Sequence, residues 1–380
     1  MSLILTLNAG SSSLKFGLYG AQPEPELIVT GQVENLGLAA RLVIDGGPTS
    51  ELGPTDHAQA LTQIMGALAP YLDGQTVAGV GHRIVHGGVS HGAPVALADD
   101  VIAKLRALIP LAPLHQPHNL ACVAAAQAMF PGAPQIGCFD TAFHRTHPWV
   151  NDTFALPREF YDLGVRRYGF HGLSYDYITG VLQRDYPELV RGKVAVAHLG
   201  NGASICAVRN GQSVASTMGF SALDGLPMGT RSGQLDPGVV LYLMTEHQMT
   251  AEQITELLYR KSGLLGLSGV TSDMRTLEAS NDPRAAQAID YYVFRIQREI
   301  GAMAASMGGL DGIVFTGGIG ENSSYIRGRV TEALGFLGIT IDTGRNAANN
   351  IEIGAGATRV LVIPTDEERI IARAVARALR

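Results

Sequence analysis

The sequence is poor in cysteine and in tryptophan. Of its 380 residues, three are cysteine and one is tryptophan. Cys122, Cys138 and Cys206 are scattered, odd in number and without a C-x-x-C spacing. This pattern argues against a disulfide framework and against a cysteine metal cluster, and it favours buried thiols in a reducing compartment.

Clustered charge and long apolar runs are also missing. The formal net charge is -6, and no segment is rich in Lys and Arg. The sequence therefore has no positively charged stretch of the kind that binds a nucleic acid or a membrane surface. The apolar stretch near the N-terminus is too short to span a bilayer, and it lacks the basic start and the cleavage site of a secretory signal. We therefore expect a cytoplasmic protein that acts on small molecules, with no nucleic acid or membrane partner.

The chain is long, contains 46 glycines, and alternates between helix-like and strand-like hydrophobic patterns. A chain of 380 residues exceeds what one hydrophobic core usually supports, so we expect two domains with a ligand cleft between them. Helical periodicity alternates with strand-like runs, which indicates an α/β fold. The predicted helices cover 99–108, 119–129, 251–258, 283–307 and 367–380, and the strand-like runs include 312–315 and 359–363. With a crossover at 145–151, the predicted domains are 1–147 plus 368–380, and 148–367.

One pattern, a strand, a polar glycine turn and a second strand, occurs twice. It covers residues 3–19 and recurs at 194–209. Backbone N–H groups and hydroxyls in such turns can cradle phosphate oxygens, although a single turn of this kind is more often a simple hairpin connection. Two matching copies favour phosphate binding and an internal duplication of one domain type.

A third glycine-rich segment, predicted to be a loop at 316–322, follows an apolar strand and precedes a helix that Ser323 is placed to cap. A nucleotide can sit on such a helix N-terminus. The stretch matches neither the spaced glycines of a dinucleotide fold nor the lysine-containing phosphate loop. We therefore predict that another type of fold holds the nucleotide.

Two arginines lie among glycines, Arg83 in 81–88 and Arg231 in 228–233. A guanidinium pairs bidentately with carboxylate or phosphate, and small neighbours let a ligand approach; a surface salt bridge is the ordinary alternative. Of the histidines, His115 and His171 are the two that we expect to stabilise phosphoryl charge, whereas most are hydrogen-bonded core residues. These residues suit an anionic acceptor and a migrating phosphoryl group.

Two carboxylates are candidates for holding Mg²⁺. Asp140 follows a strand, and Glu367 opens the last helix. The alternative for Glu367 is an acid favoured by the helix dipole, with Thr365 or Asp366 as the cap. Spacing alone does not decide between these two interpretations.

Taken together, the motifs resemble the acetate kinase family, in the superfamily of sugar kinases, actin and heat-shock ATPases. The resemblance covers essentially the whole chain and is carried by 5–15, 81–88, 139–144, 167–172, 198–204, 228–233 and 315–322. It implies two duplicated ribonuclease H-like domains of the actin-like ATPase fold, with the active site in the cleft between them. It also implies a homodimeric phosphotransferase with a carboxyl acceptor, which makes acetyl phosphate and ADP reversibly from acetate and ATP with Mg²⁺, or Mn²⁺ in its place.

The same resemblance assigns roles to individual residues. The catalytic residues would be Arg83, Asp140, His171, Asn201 and Arg231, with His171 and Arg231 stabilising the transition state. The metal ligands would be Asn8 and Glu367, with Asp140 also organising Mg²⁺. The substrate would contact Arg83, Val85, Leu114, His115, Phe170 and Ala222. The ATP-binding residues would be Ser13, Lys15, His198, Gly200, Asn201, Gly202, Asp273, Met274, Arg275, Gly318, Ile319, Gly320 and Asn322.

The implied mechanism is direct in-line transfer. An acetate oxygen is already ionised, so no general base is needed. A sugar acceptor would call for an aspartate base, and since Asp140 is placed to serve, this alternative stays open. A nucleotide-driven conformational switch is the rival from another class, but it would need a client-binding domain or polymerisation surface and would leave Arg83 and Arg231 without a purpose.

The sequence departs from the family pattern near the expected substrate pocket. Ala222 replaces a usual proline, and loss of that ring would enlarge the pocket by about a methylene or two, so we expect activity on propionate. Gln116 and His118, near His115, also depart from the family pattern, and Asp366 replaces the asparagine that is usual at its position. The added carboxylate of Asp366 would either alter Mg²⁺ affinity or cap the helix.

Overall fold

The computed structural model describes residues 2–380 and shows a mixed α/β protein. Within these residues the strands form one sheet of eight strands and one of five. The strands are β1 (Leu3–Ala9), β2 (Ser13–Gly20), β3 (Glu26–Glu34), β4 (Ala40–Ile44), β5 (Ser50–Gly53), β6 (Val77–Ile84), β7 (Val95–Ala96), β8 (Gln135–Phe139), β9 (Lys193–Leu199), β10 (Ala203–Arg209), β11 (Gln212–Ser216), β12 (Gly312–Thr316) and β13 (Arg359–Val362).

The helices alternate with these strands. They are α1 (His57–Leu72), α2 (Asp99–Ala107), α3 (Gln116–Met129), α4 (Trp149–Asp152), α5 (Arg158–Asp162), α6 (Gly172–Asp185), α7 (Pro187–Val190), α8 (Pro237–Thr245), α9 (Ala251–Arg260), α10 (Gly263–Ser268), α11 (Met274–Glu278), α12 (Pro283–Met307), α13 (Gly317–Asn322), α14 (Ser324–Glu332), α15 (Thr343–Ala347) and α16 (Glu367–Ala378). Short 3₁₀ segments cover Ile109–Leu111, Ala142–Thr146 and Gly335–Leu337.

The chain divides into two compact units. The first unit consists of residues 2–143 together with Asp366–Arg380, and the second of His144–Thr365. The domain boundaries predicted from the sequence lie between residues 147 and 148 and between residues 367 and 368. Helix α16 packs on β1 and β6 of the first unit, where a side chain at Gly81 would overlap Ile371 of the helix. Glycine in β6 therefore lets the C-terminal helix lie close to the sheet.

Both sheets contain the same order of five strands. In the first sheet this order is β3-β2-β1-β6-β8, with antiparallel pairs β3–β2 and β2–β1 and parallel pairs β1–β6 and β6–β8. In the second sheet, β11-β10-β9-β12-β13 repeats the order and the strand directions. This is the ribonuclease H-like arrangement of the actin-like ATPase fold. The predicted α/β class and the internal duplication are confirmed.

The predicted motifs stand at the carboxyl ends of the parallel strands. In the first unit, Asn8, Arg83 and Asp140 lie at or just beyond the ends of β1, β6 and β8. In the second unit, β9 and β12 end immediately before residues 200–202 and helix α13. Since parallel strands gather their carboxyl ends at one sheet edge, each unit brings its own motifs together.

Most helices and strands predicted from the sequence match observed elements, with differences at some of their ends. Helix α12 has the predicted bounds, whereas α3 begins at Gln116, earlier than predicted, because Pro117 fits the first turn of a helix. The prediction of a loop over 316–322 was wrong, since most of it is helix α13. There the carboxylate of Glu321 accepts hydrogen bonds from the N–H groups of Gly317 (2.8 Å) and Thr365 (3.1 Å), which fixes the turn. None of the helices in residues 2–380 combines the length and the apolar character that a membrane span requires.

Candidate active site

Arg83 is the centre of a charged cluster in the first unit. Its Nε and Nη2 donate to the two carboxylate oxygens of Asp140 at 3.0 and 2.5 Å, and its Nη1 donates to Asn8 Oδ1 at 3.0 Å. The side chain of Asp140 is 2% exposed and that of Arg83 is 20% exposed, so this is not a surface salt bridge. Burial disfavours the charged guanidinium, but the charges of Asp140 and Glu367 outweigh burial and raise the pKa of Arg83.

Glu367 adds a second carboxylate to the cluster, 3.9 Å from Arg83 Nε. Burial raises its pKa to about 7, with further increases from Asp140 and Glu368 that the charge of Arg83 opposes. Glu367 is the first residue of α16, and the cap is Asp366, whose side chain accepts from the backbone N–H of Arg369. The capping alternative for Asp366 is therefore confirmed.

Oxygen donors in this cluster suit Mg²⁺. Asp140 and Glu367 supply carboxylates and Asn8 supplies an amide oxygen, and proteins hold Mg²⁺ through one or two carboxylates together with substrate phosphates. Within the described residues, no group of three or more His, Cys, Asp and Glu side chains is arranged to hold a metal ion. The chemistry of the donors present nevertheless fits the predicted metal.

Asn119 is a structural residue of the site that the sequence did not predict. This residue of α3 is buried, and its Nδ2 donates to the carbonyl of Ala9 at 2.6 Å while its Oδ1 accepts from the N–H of Val85 at 2.9 Å. One amide therefore joins the backbone just after Asn8 to the backbone just after Arg83. A polar residue one helical turn after His115 was the available signal.

Gln116 and His118, the unusual neighbours of His115, have structural contacts. Gln116 is buried and exchanges hydrogen bonds with the backbone of His86, accepting at 3.2 Å and donating at 3.0 Å. His118 stacks on His57 with ring centroids 5.3 Å apart, and His57 Nε2 donates to the carbonyl of Gly10 at 2.8 Å. This histidine pair supports the polar turn between β1 and β2.

Two stacked histidines lie in the second unit. The rings of His171 and His198 have centroids 4.3 Å apart and an interplanar angle of 23°. His171 precedes α6 in a left-handed backbone conformation, with φ of 57°. Its Nδ1 is 2.8 Å from Ser204 Oγ, and His198 Nδ1 is 2.9 Å from Ser174 Oγ. Each Nδ1 atom therefore has a serine partner, and the Nε2 atoms of both histidines lie near the glycine loop 200–202.

The loop 200–202 brings His171 and Arg231 together. A Cβ atom at Gly202 would lie 3.1 Å from His171 Nε2 and 4.0 Å from Arg231 Nη1. Arg231 Nη1 donates to the carbonyl of Ala222 at 3.0 Å, which orients the guanidinium. The side chain of Asn201 lies against Gly229, where a side chain would overlap its Oδ1. Two cationic or N–H-bearing groups therefore border a space that glycine keeps open.

A cavity of about 810 Å³ lies in the second unit. This volume suits a small-molecule ligand. It brings together most of the predicted ATP-binding residues, namely Gly200, Asn201, Asp273, Met274, Arg275, Gly318, Ile319 and Asn322. Ser272, Glu278 and Ser323 also line it and were not predicted as ATP-binding residues. The carboxylate of Asp273 caps α11 and pairs with Arg275 at 2.5 Å, and these contacts lower the pKa of Asp273 to about 2.

The remaining predicted residues are distributed over the two units. His198, Gly202 and Gly320 belong to the second unit, and His198 Nε2 lies 3.9 Å from the position of a Cβ at Gly200. Ser13 and Lys15 belong to the first unit. Of the predicted substrate contacts, Val85 and Phe170 are buried, while Leu114, His115 and Ala222 are half-buried.

Comparison with known proteins gives consistent matches over the whole chain. The model of the Acetokinase family matches residues 3–373. An acetate kinase of Methylocella silvestris is 53% identical over 97% of this chain and 96% of that protein, and one of Nitrobacter hamburgensis is 49% identical over 98% and 95%.

Solved structures agree with these matches. A propionate kinase from Francisella tularensis has a TM-score of 0.93 at 36% identity, covering 98% of this chain and 99% of that one. An acetate kinase from Porphyromonas gingivalis has a TM-score of 0.90 at 39% identity, with full coverage of both chains.

Proposed function

Because this chain belongs to the acetokinase family, we propose that it transfers the γ-phosphoryl group of ATP to acetate, reversibly and by direct in-line displacement. The observation that carries the proposal is the open space at Gly202, bordered by His171 Nε2 and Arg231 Nη1. That space adjoins Gly200 and Asn201, which line the cavity of the second unit. Donors for phosphate oxygens therefore stand beside a cavity large enough for a nucleotide.

The cavity is the proposed site of the adenosine part of ATP. Its lining residues come from α11, α13 and the loop 200–202, and they combine backbone N–H groups with polar side chains. Loop 200–202 is suited to anionic phosphates, because clustered backbone N–H groups in such a turn favour negative charge. The phosphate chain would then extend from the cavity toward Gly202.

Arg83 is the proposed binding partner of the acceptor carboxylate, and no general base is needed to activate that carboxylate. Both oxygens of Asp140 already accept hydrogen bonds from Arg83, which makes Asp140 a poor general base for a sugar hydroxyl. An ionised carboxylate needs no proton removed before it attacks phosphorus. The contacts of Asp140 therefore favour a carboxylic acid over a sugar as acceptor.

His171 and Arg231 are assigned to the transferring group. Negative charge spreads over the equatorial oxygens of the phosphoryl group during transfer, and preorganised donors stabilise it there. Arg231 brings a permanent charge, and His171 brings an Nε2 edge. Mg²⁺ bound near Asn8, Asp140 and Glu367 would neutralise further phosphate charge. Asn201 would hold the phosphate loop against Gly229.

Propionate is a further proposed substrate. Ala222 lies beside Arg231, which holds its carbonyl, and the relative from Francisella tularensis is a propionate kinase. Replacing Ala222 with Pro, the usual residue of the family, should lower kcat/KM for propionate relative to acetate by roughly tenfold, the effect of about one methylene. Steady-state kinetics with both acids measures this ratio. An unchanged ratio would show that position 222 does not set acid size.

A homodimer in the cytoplasm completes the proposal. Helix α8 has exposed apolar side chains and no buried residue: Val239, Leu241, Tyr242 and Met244 are between 39% and 62% exposed. Exposed apolar surface of this kind usually marks an interface. We expect Leu241→Asp to convert a dimer to a monomer in light scattering. A wild-type monomer would contradict the assignment. The cytoplasmic location is supported by three buried cysteines.

The activity itself is tested by trapping the product. Purified protein with ATP, Mg²⁺ and acetate should release ADP, and hydroxylamine should capture an acyl phosphate in equal amount. Arg231→Ala should abolish turnover while the circular dichroism spectrum and melting temperature stay close to those of the wild type. No product with acetate, propionate or butyrate would refute the proposed function.

A further inference from the structure

Each of the two stacked histidines is held by a serine through the same ring nitrogen. Ser204 Oγ is 2.8 Å from His171 Nδ1, and Ser174 Oγ is 2.9 Å from His198 Nδ1. Both serines are fully buried. In a neutral imidazole one nitrogen donates and the other accepts, so the proton position on each serine decides which nitrogen of its histidine carries hydrogen.

Each serine is in turn held by a second hydroxyl. Tyr175 Oη lies 2.5 Å from Ser204 Oγ, and Thr365 Oγ1 lies 2.9 Å from Ser174 Oγ. A phenol is the more acidic hydroxyl and hence the better donor of the first pair. A serine that accepts from a neighbouring hydroxyl still has its own proton to donate. The arrangement therefore gives each pair a natural direction, toward the imidazole.

We propose that these two hydroxyl chains fix both histidines as Nε2–H tautomers. Tyr175 donates to Ser204, and Ser204 donates to His171 Nδ1. Thr365 donates to Ser174, and Ser174 donates to His198 Nδ1. Ser204 and Tyr175 are then positioning residues for His171, acting through it without contact with the substrate.

The consequence lies at the space kept open by Gly202. His171 Nε2 is 3.1 Å from the position of a Cβ there, on the side that Arg231 also faces. An Nε2–H group donates to a phosphoryl oxygen, whereas the opposite tautomer would present a lone pair to an anion and repel it. The tautomer therefore decides whether His171 stabilises or opposes the transfer; this catalytic consequence rests on the function proposed above.

Nitrogen NMR of the whole protein tests the tautomer directly. With ¹⁵N-labelled histidine, long-range ¹H–¹⁵N spectra distinguish a protonated Nε2 from a protonated Nδ1, and His171→Gln and His198→Gln variants assign the signals. We expect Nε2–H for both residues in the wild type. In Ser204→Ala and Tyr175→Phe, the His171 signals should move toward a mixture of tautomers while those of His198 change little. An Nδ1–H wild type, or His171 signals unaffected by both variants, would overturn the inference.

Kinetics provide the second readout. Ser204→Ala should lower kcat roughly 10- to 100-fold, as losing an orienting partner typically does, with little change in the KM for ATP. Tyr175→Phe, which removes a single oxygen, should lower kcat by less, and Ser204→Thr should restore most activity because it keeps the hydroxyl. If Ser204→Ala and Tyr175→Phe raised the KM for ATP and left kcat unchanged, Ser204 and Tyr175 would not be positioning residues for His171.

Matched controls are available in the same unit. The Tyr292 hydroxyl and the Ser216 hydroxyl are buried without a hydrogen-bond partner among residues 2–380. Tyr292→Phe and Ser216→Ala should therefore leave kcat and the histidine spectra unchanged. The two proposals fail separately: absence of acyl phosphate with wild-type protein defeats the proposed function, while a wrong tautomer in a fully active enzyme defeats only the hydroxyl chains.

Discussion

At the scale of single residues, Gly202 shows how an absent side chain shapes the site. A Cβ there would meet His171 Nε2 at 3.1 Å, closer than most contacts of real side chains. We predict that Gly202→Ala displaces the imidazole or blocks a phosphoryl oxygen and lowers kcat by at least tenfold. Stopped-time assays of acyl phosphate formation measure the loss, and the melting temperature should change little.

Gly301 provides the control for this substitution. It lies inside α12, and a Cβ there would have no heavy atom within 4 Å. Gly301→Ala should leave kcat unchanged and stabilise the protein by about 1 kcal/mol, since alanine is the better helix former. Equal kinetic losses in both variants would show that the effect at Gly202 is not local to the site.

Individual residues also show what could be predicted from sequence. Arg83 and Arg231 stand out because each lies among glycines, and Asp140 stands out because it directly follows a strand. Ser204 and Tyr175 do not stand out, because a buried hydroxyl acquires its meaning from the partner that tertiary packing places beside it. Such positioning residues require coordinates.

At the scale of elements, α3 joins two motif-bearing strands through Asn119. Replacing Asn119 with Ala leaves the N–H of Val85 and the carbonyl of Ala9 without this partner in a buried place. We predict a loss of about 3 kcal/mol in the free energy of unfolding, since each unsatisfied buried group costs about 1 to 3 kcal/mol. Urea denaturation measures this, and activity should fall as well.

Gln127, also on α3, is the comparison for Asn119. It is half-buried and its Nε2 makes a single bond, to the carbonyl of Leu97 at 3.2 Å. Gln127→Ala should cost about 1 kcal/mol and leave activity intact. If the two variants proved equally stable and active, Asn119 would have no bracing role between β1 and β6.

Element prediction succeeded where periodicity is strong and failed where a distant contact decides. The long helix α12 has one clear apolar face, so its bounds follow from sequence. Helix α13 is rich in glycine and reads as a loop, yet the carboxylate of Glu321 and the backbone of Thr365 hold it. Thr365 is too far from Glu321 in the sequence for local sequence patterns to predict this contact.

At the scale of the whole molecule, buried histidines make stability depend on pH. Burial lowers the pKa of His82 to about 4, against the opposing hydrogen bond to Gln135. The unfolded chain binds this proton from about pH 6.5 downward, whereas the folded chain binds it only near pH 4. Stability from His82 is thus complete above pH 6.5 and is lost as the pH falls toward 4.

This dependence can be measured with one variant. Between pH 7 and pH 5 the wild type should lose about 2 kcal/mol through His82 alone. The stability difference between the wild type and His82→Gln should shrink by that amount over the same interval in urea denaturation. A difference that is constant with pH would mean that folding does not shift the pKa of His82.

The duplication is the feature of the whole molecule that sequence predicted best. Two copies of the strand–turn–strand pattern anticipated two sheets with the same strand order. The outer strands β4, β5 and β7 of the first sheet were not anticipated, because short strands at a sheet edge carry little periodic signal.

Transfer to a carboxylate is tested most directly by following an oxygen atom from the acid to phosphorus. Protein, ATP and Mg²⁺ are mixed with ¹⁸O-labelled acetate, and the products are observed by ³¹P NMR. We expect acetyl phosphate whose phosphorus signal shows the isotope shift of one bound ¹⁸O, because an acetate oxygen attacks the γ-phosphorus. Formation of ADP with unlabelled inorganic phosphate as the only other product would contradict transfer to a carboxylate.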